Sequence, residues 1–278
     1  MSGTYARNPD GSVTHTARRQ RLDRPLTADE AGDKYWQTTA GVEGYLTSKL
    51  SAPGYAADAA LARGVQRARD AGMPSIAVSP MVGQLLAIMA KSMKATRVLE
   101  IGTLGGYSTA FLANALPSHG EIDTIEASPM HAKIAQQNFL DLDLLPFPTT
   151  HVGFGLDVLR DPNGKFAAPP GVADGLPPAE CGYDFIFVDA NKDDYFEYFV
   201  EGLRLCKAGG VLFFDNAIQA GRIAVPADTP VDDVDANSRG LRQIYDWIEK
   251  DAGKTVLATA IQNVAFKGWD GFAIIHKL

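Results

Sequence analysis

From Arg97 to the end of the chain, short runs rich in β-branched and aromatic residues alternate with helical stretches. The runs are RVLEIG, EIDTIEA, TTHVGFG, YDFIFVDA, GGVLFFDN, TVLATAIQ and GFAIIHKL, and helices are expected to start near Tyr107, Pro129, Asp157, Asp193 and Asn237. This alternation predicts an α/β fold, a mostly parallel sheet covered by helices on both faces. YDFIFVD and GGVLFFD are apolar almost throughout, as strands buried on both sides must be. A length of 278 residues accommodates one such domain with elaborations.

The organisation before Arg97 is different. Residues 1–26 are polar and rich in turn formers, and read as a flexible, irregular arm. The domain is expected over 27–278 and to open with helices. Thr27 is an N-cap candidate for helical structure through Leu50, and YAADAALARGVQRARDAG reads as a helix closed by Gly72 and Pro74. Ser79 followed by Pro80 has the chemistry of a helix start. NGKFAAPPGVADGLPPAECG holds four prolines and is expected to be an exposed loop insertion.

Composition narrows the partners. A net charge of −7 argues against nucleic acid, which demands a basic surface. No apolar stretch approaches the ~20 residues that span a bilayer, so no membrane partner is expected. Arg7, Arg18, Arg19, Arg21 and Arg24 face only Asp10 and Asp23 at the start of the chain, which faintly resembles a mitochondrial transit peptide but lacks its apolar face. Cys181 and Cys206 have no partnering histidine pattern and read as free thiols in a reducing compartment. Cytoplasm is the expected location.

The chemistry concentrates at strand ends. After RVLEIG the chain turns through GTLGG, and glycines there allow positive φ and close approach of a ligand to the backbone. In an open α/β sheet this turn lies at the carboxyl edge, where ligands bind. Glu126 ends the next strand, where a carboxylate can accept hydrogen bonds from both hydroxyls of a ribose. The spacing Gly102, Gly105, Gly106 does not match the G-x-G-x-x-G of a dinucleotide reductase. Glu100 would repel a pyrophosphate yet suit a cofactor bearing an ammonium group, which points to S-adenosylmethionine rather than NAD.

Two later strands also end in acids. Asp189 closes FIFVD, and Asp215 with Asn216 closes VLFFDN, 26 positions after Asp189. Two carboxylates and an amide oxygen at parallel strand ends make a hard oxygen site suited to Mg²⁺. Helix capping is the competing reading of these residues. A lysine beside a cation is disfavoured in its charged form, which makes Lys192 a general-base candidate against the alternative of a solvated surface lysine.

With these motifs the chain resembles the cation-dependent class I O-methyltransferases, among them the caffeoyl-CoA and catechol enzymes. The resemblance runs from about Tyr35 to Leu278 and is nearest the microbial branch, through VLEIGTLGGYST, FVDANKDDY, DNAIQAGRI and KGWDGFAI. It implies a Rossmann-like, seven-stranded sheet whose last strand is antiparallel, and a homodimer. It further implies that Asp189, Asp215 and Asn216 hold the metal and that Lys192 is catalytic, with Asp189 also bordering the cofactor. Glu100, Gly102, Tyr107 and Ser108 would line the methionine end of S-adenosylmethionine, with Thr103 on the same turn and Glu126 at the ribose. Val78 and Gly155 fall where the family approaches the cofactor.

Two departures stand out. Asn191 occupies a place that often holds aspartate, and the tryptophan common after the metal Asp-Asn pair is missing, with Gln219 near its position. The function these features imply is methyl transfer to a hydroxyl of an ortho-dihydroxy aromatic, a phenolic small molecule. A cofactor-binding homologue without catalysis and an NAD-dependent reductase are the alternatives.

Overall fold

A computed structural model describes residues 3–8, 13–17, 39–51, 55, 58–226, 229, 235–265 and 268–278. Strands β1 (Gly3–Arg7) and β2 (Val13–Ala17) pair antiparallel, so the segment read as an irregular arm contains regular structure. GTYAR and VTHTA carry aromatic and β-branched residues, which favour extended backbone. Of the helical structure expected between Thr27 and Leu50, α1 (Thr39–Leu50) is present, and residues 27–38 lie outside the described residues.

Helix α2 (Ala59–Asp70) is capped by Asp58, whose Oδ1 accepts from Ala60 N at 2.7 Å. Helix α3 (Pro80–Ser92) starts as its sequence dictates, with Ser79 Oγ accepting from Val82 N at 3.3 Å and Pro80 in the first turn. Then the alternation begins: β3 (Arg97–Ile101), α4 (Tyr107–Ala115), β4 (Glu121–Glu126), α5 (Pro129–Asp141), β5 (Thr149–Val152) and α6 (Gly155–Arg160). It continues with β6 (Tyr183–Val188), α7 (Tyr195–Leu205), β7 (Cys206–Asp215), α8 (Ala236–Asp251), β8 (Val256–Ala265) and β9 (Gly268–Lys277). All seven expected strands are there. The Pro-rich stretch forms turns and a short 3-10 helix, largely exposed, although its Phe166 is buried against the sheet.

The order across the sheet is β5-β4-β3-β6-β7-β9-β8. Neighbours from β5 to β7 are parallel, while β9 runs antiparallel to both β7 and β8. The chain moves outward from β3 to β5 and then returns to place β6 on the other side of β3. That reversal opens a crevice beyond the carboxyl ends of β3 and β6.

Alternate residues feed two cores. Val98, Phe185, Phe187 and Phe213 face Leu86, Phe111 and Phe139 of α3, α4 and α5. Leu99, Ile186, Val188 and Phe214 face Phe199 and Leu241 of α7 and α8. Every residue of β6 is buried, which accounts for a sequence that is apolar but for Asp184. Among the described residues no helix is long and apolar enough to cross a membrane, and both cysteines are buried and free.

Candidate active site

The crevice at the switch between β3 and β6 is a cavity walled by the carboxyl ends of five parallel strands, β3 to β7, and the segment before α3. Val78, Gly102, Thr103, Tyr107, Ser108, Glu126, Gly155, Asp189, Lys192 and Asn216 all line it. Glu100 and Asp215 do not.

The turn after β3 is shaped by close approach. Gly102 has φ 105°, and a Cβ there would stand 2.3 Å from the Asp189 carbonyl oxygen. Gly106 has φ 79°, and its Cβ would meet the Phe139 ring at 2.3 Å. Only glycine fits either position. Gly102 N and Thr103 N both donate to the Ile125 carbonyl, at 3.0 and 3.2 Å, which ties the turn to β4.

Glu100 sits behind the cavity wall, with no exposed surface. Its carboxylate accepts from Ser108 Oγ at 2.5 Å, from Thr124 Oγ1 at 2.6 Å, and from Thr109 Oγ1. Burial pushes this carboxyl up to about 7, against the pull of the three hydroxyls. Glu100, expected beside a cofactor ammonium, does not itself line the cavity; it holds the first turn of α4, from which Ser108 lines it.

Glu126 does face the cavity, and it is prearranged. Its Oε2 accepts from Leu104 N at 2.8 Å and its Oε1 from Ser128 N at 2.9 Å, while His131 Nδ1 lies 3.3 Å from Oε1. Each carboxylate oxygen has a second lone pair for a ligand hydroxyl.

Across the crevice, Val188 pairs with Phe214, so the residues that follow, Asp189 and Asp215, end adjacent strands side by side. Lys192 follows in a short 3-10 turn and is only 3% exposed. It is therefore not a surface lysine. Its Nζ donates to Asp189 Oδ1 at 2.6 Å and to the Tyr195 hydroxyl at 2.5 Å, and that hydroxyl donates to the Asp215 carbonyl at 3.0 Å. The fully buried Tyr195 thus joins the two acidic strand ends through Lys192. Burial raises its phenol well above the ordinary tyrosine range, which keeps it protonated.

Gln219, near the place of the missing tryptophan, lies in the loop after β7. It is buried, and its Nε2 donates to the Asn216 carbonyl at 2.8 Å, bracing the residue next to Asp215. The sequence alone assigns no role to Tyr195, Gln219 or His131. Only Tyr195 left a trace there, three residues after Lys192 and so able to meet it on one helical turn. Tyr198, a further turn along, also lines the cavity, and its hydroxyl would touch a Cβ at Gly155.

The chain is similar to known proteins along most of its length. Residues 55–142 and 172–262 match the O-methyltransferase family. A catechol O-methyltransferase of Niastella koreensis is 35% identical over 243 residues, covering 86% of this chain and 97% of its own. The O-methyltransferase TomG of Streptomyces achromogenes, involved in tomaymycin synthesis and solved with S-adenosylmethionine, superposes with a TM-score of 0.72 at 34% identity, covering 86% of this chain and 96% of its own. An O-methyltransferase of Bacillus cereus solved with S-adenosylhomocysteine gives 0.72 at 32% identity, with coverage of 86% and 98%.

Proposed function

The chain belongs to the O-methyltransferase family, and from that membership we propose an S-adenosylmethionine-dependent enzyme that methylates one hydroxyl of a catechol-type aromatic with the help of a divalent cation. One observation carries the reading. The glycine turn and Glu126, suited to an adenosyl donor, share a single crevice with Asp189, Asn216 and Lys192. Donor and acceptor would meet at Asp189, which borders both.

The residues at the strand ends fit a cation. Asp189, Asp215 and Asn216 supply two carboxylates and an amide oxygen, hard donors that leave positions for water or acceptor oxygens. Mg²⁺ held there would lower the pKa of a chelated hydroxyl and orient it. The chain's own part is then clear. Lys192 Nζ, fixed by Asp189 and Tyr195, accepts the proton of the attacked hydroxyl. Glu126 and the turn after β3 hold the donor in line with it, a restraint that can remove ~7–11 kcal/mol from the barrier.

The dinucleotide-reductase alternative finds no support in this family. A homologue without catalysis is eliminated by turnover. Incubation with S-adenosylmethionine and a panel of dihydroxy aromatics, with and without EDTA, tests the reading: methylated catechols are expected only in the presence of the cation. Turnover that survives chelation removes the cation, and turnover confined to monohydroxy phenols removes the catechol.

The same reading extends to assembly and location. Leu257, Ile261, Val264 and Trp269 are exposed on the β8–β9 hairpin at the sheet edge, which supports pairing with a second copy. Two buried free thiols suit a reducing compartment, and cytoplasm is the one proposed.

A further inference from the structure

The near-terminal motif KGWDGFAI has no part in the mechanism above, yet its aspartate is tied to the site. Asp270 Oδ1 accepts three backbone N–H groups: Gln219 at 2.9 Å, Gly271 at 3.0 Å and Ile218 at 3.2 Å. Two of these belong to the loop that leaves β7 immediately after Asp215 and Asn216. That loop has an unfavourable backbone. Asn216, Gln219 and Ala220 have φ of 53°, 52° and 50°, in the left-handed region that side chains disfavour, and Gly221 follows at 84°. A conformation of this kind persists only when its surroundings over-determine it.

The surroundings are supplied largely by β9. Ala217 N donates to the Gly271 carbonyl at 2.8 Å, beside the Asp270 contacts. Gly271 has to be small, since a Cβ there would lie 2.2 Å from the Ile261 carbonyl oxygen and 2.5 Å from the Ile218 side chain. The Asp-Gly pair therefore does two things: glycine lets β9 approach the loop, and aspartate takes hold of it. A carboxylate oxygen receiving several N–H groups makes charge-assisted bonds stronger than those of a neutral acceptor. Asp270 does not line the cavity, and its Oδ1 is committed to the backbone.

We infer that Asp270 is a positioning residue for the cation site: through Ile218 and Gln219 it clamps the loop after β7 to β9 and so sets where Asp215 and Asn216 stand. This rests on the reading of those two residues as cation ligands. Partners behind metal ligands typically change metal affinity 10–100-fold when removed.

The test uses the full chain as wild type, Asp270→Ala, Asp270→Asn and Asp215→Ala. Mn²⁺ affinity is read by electron paramagnetic resonance without acceptor, S-adenosylhomocysteine affinity by calorimetry, and amide hydrogen exchange on the metal-free protein. Asp270→Ala is expected to bind Mn²⁺ about 10–100-fold more weakly. Its S-adenosylhomocysteine affinity stays unchanged, and exchange at Ile218 and Gln219 becomes faster. Asp270→Asn keeps an acceptor oxygen in place and recovers most of the Mn²⁺ affinity. Wild-type Mn²⁺ affinity in a folded Asp270→Ala protein overturns the inference, as does an Asp270→Asn protein no better than alanine. Should alanine prevent folding, Asp270→Val, which also lacks an acceptor, replaces it, and parity of that variant with wild type overturns the inference equally. If Asp215→Ala binds Mn²⁺ like wild type, it is the cation reading that fails. The exchange measurement, which needs no metal, still decides the clamp: unchanged rates at Ile218 and Gln219 refute it.

Discussion

Gly102 and Asp189 touch through their backbones: a single added Cβ on Gly102 would lie 2.3 Å from the Asp189 carbonyl oxygen. The donor turn and the first acidic strand end are thus one packed unit. Because Asp189 N also donates to the Ile101 carbonyl at 2.9 Å, neither can move without the other.

Gly102→Ala therefore combines a left-handed φ with a backbone collision. It is expected to destabilise the fold by about 1–3 kcal/mol and to weaken S-adenosylhomocysteine binding. Urea unfolding with calorimetry of the ligand checks both, and a variant equal to wild type in the two would contradict the packing described.

Lys192→Met keeps the aliphatic stem and removes the amine. Loss of a positioned base lowers kcat by roughly 10²–10⁴. Steady-state kinetics should show KM for the acceptor little changed, while an effect confined to KM would demote Lys192 to a substrate contact.

Glu126→Gln tests the ribose contact. Hydrogen bonds to a charged acceptor contribute about 1.5–3 kcal/mol, so S-adenosylhomocysteine affinity should fall roughly 10–150-fold. Calorimetry reads this directly, and retained affinity would move the ribose elsewhere.

Glu100 makes stability depend on pH. Its carboxyl titrates at about 7 in the fold against an ordinary 4.5. The folded state therefore holds a proton that the unfolded chain releases, and stability falls as pH rises through this window. The contribution is fully present below pH 4.5 and lost above about 7, a change of roughly 3 kcal/mol. Urea unfolding of wild type and Glu100→Gln at pH 5 and pH 8 should show wild type losing stability relative to the variant at the higher pH. Parallel profiles would mean that Glu100 stays ionised.

Much of this site was readable along the chain, because its pieces are local. An apolar strand that ends in a carboxylate announces itself within eight residues, which is why Asp189, Glu126 and Asp215 could be placed at one sheet edge before any coordinates. The Ser79-Pro80 helix start is similarly local. Glu100 shows the limit of that logic. Its position beside the glycine turn was legible, but Ser108, Thr109 and Thr124 close over it only when α4 folds back on β4, and so its burial and altered titration were not.

Sequence by itself determined the order of strands and helices, the turn that needs glycine, and the acids at strand ends, since each follows from side-chain periodicity or backbone sterics over a few residues. Tertiary structure alone decided that Lys192 is buried against Tyr195, that Gln219 braces Asn216, and that Asp270 reaches back 52 positions to Ile218. The first two pairs are close along the chain, but their burial is set by the packing around them; the third exists because β9 inserts between β7 and β8 and brings together groups whose separation along the chain carries no local signal.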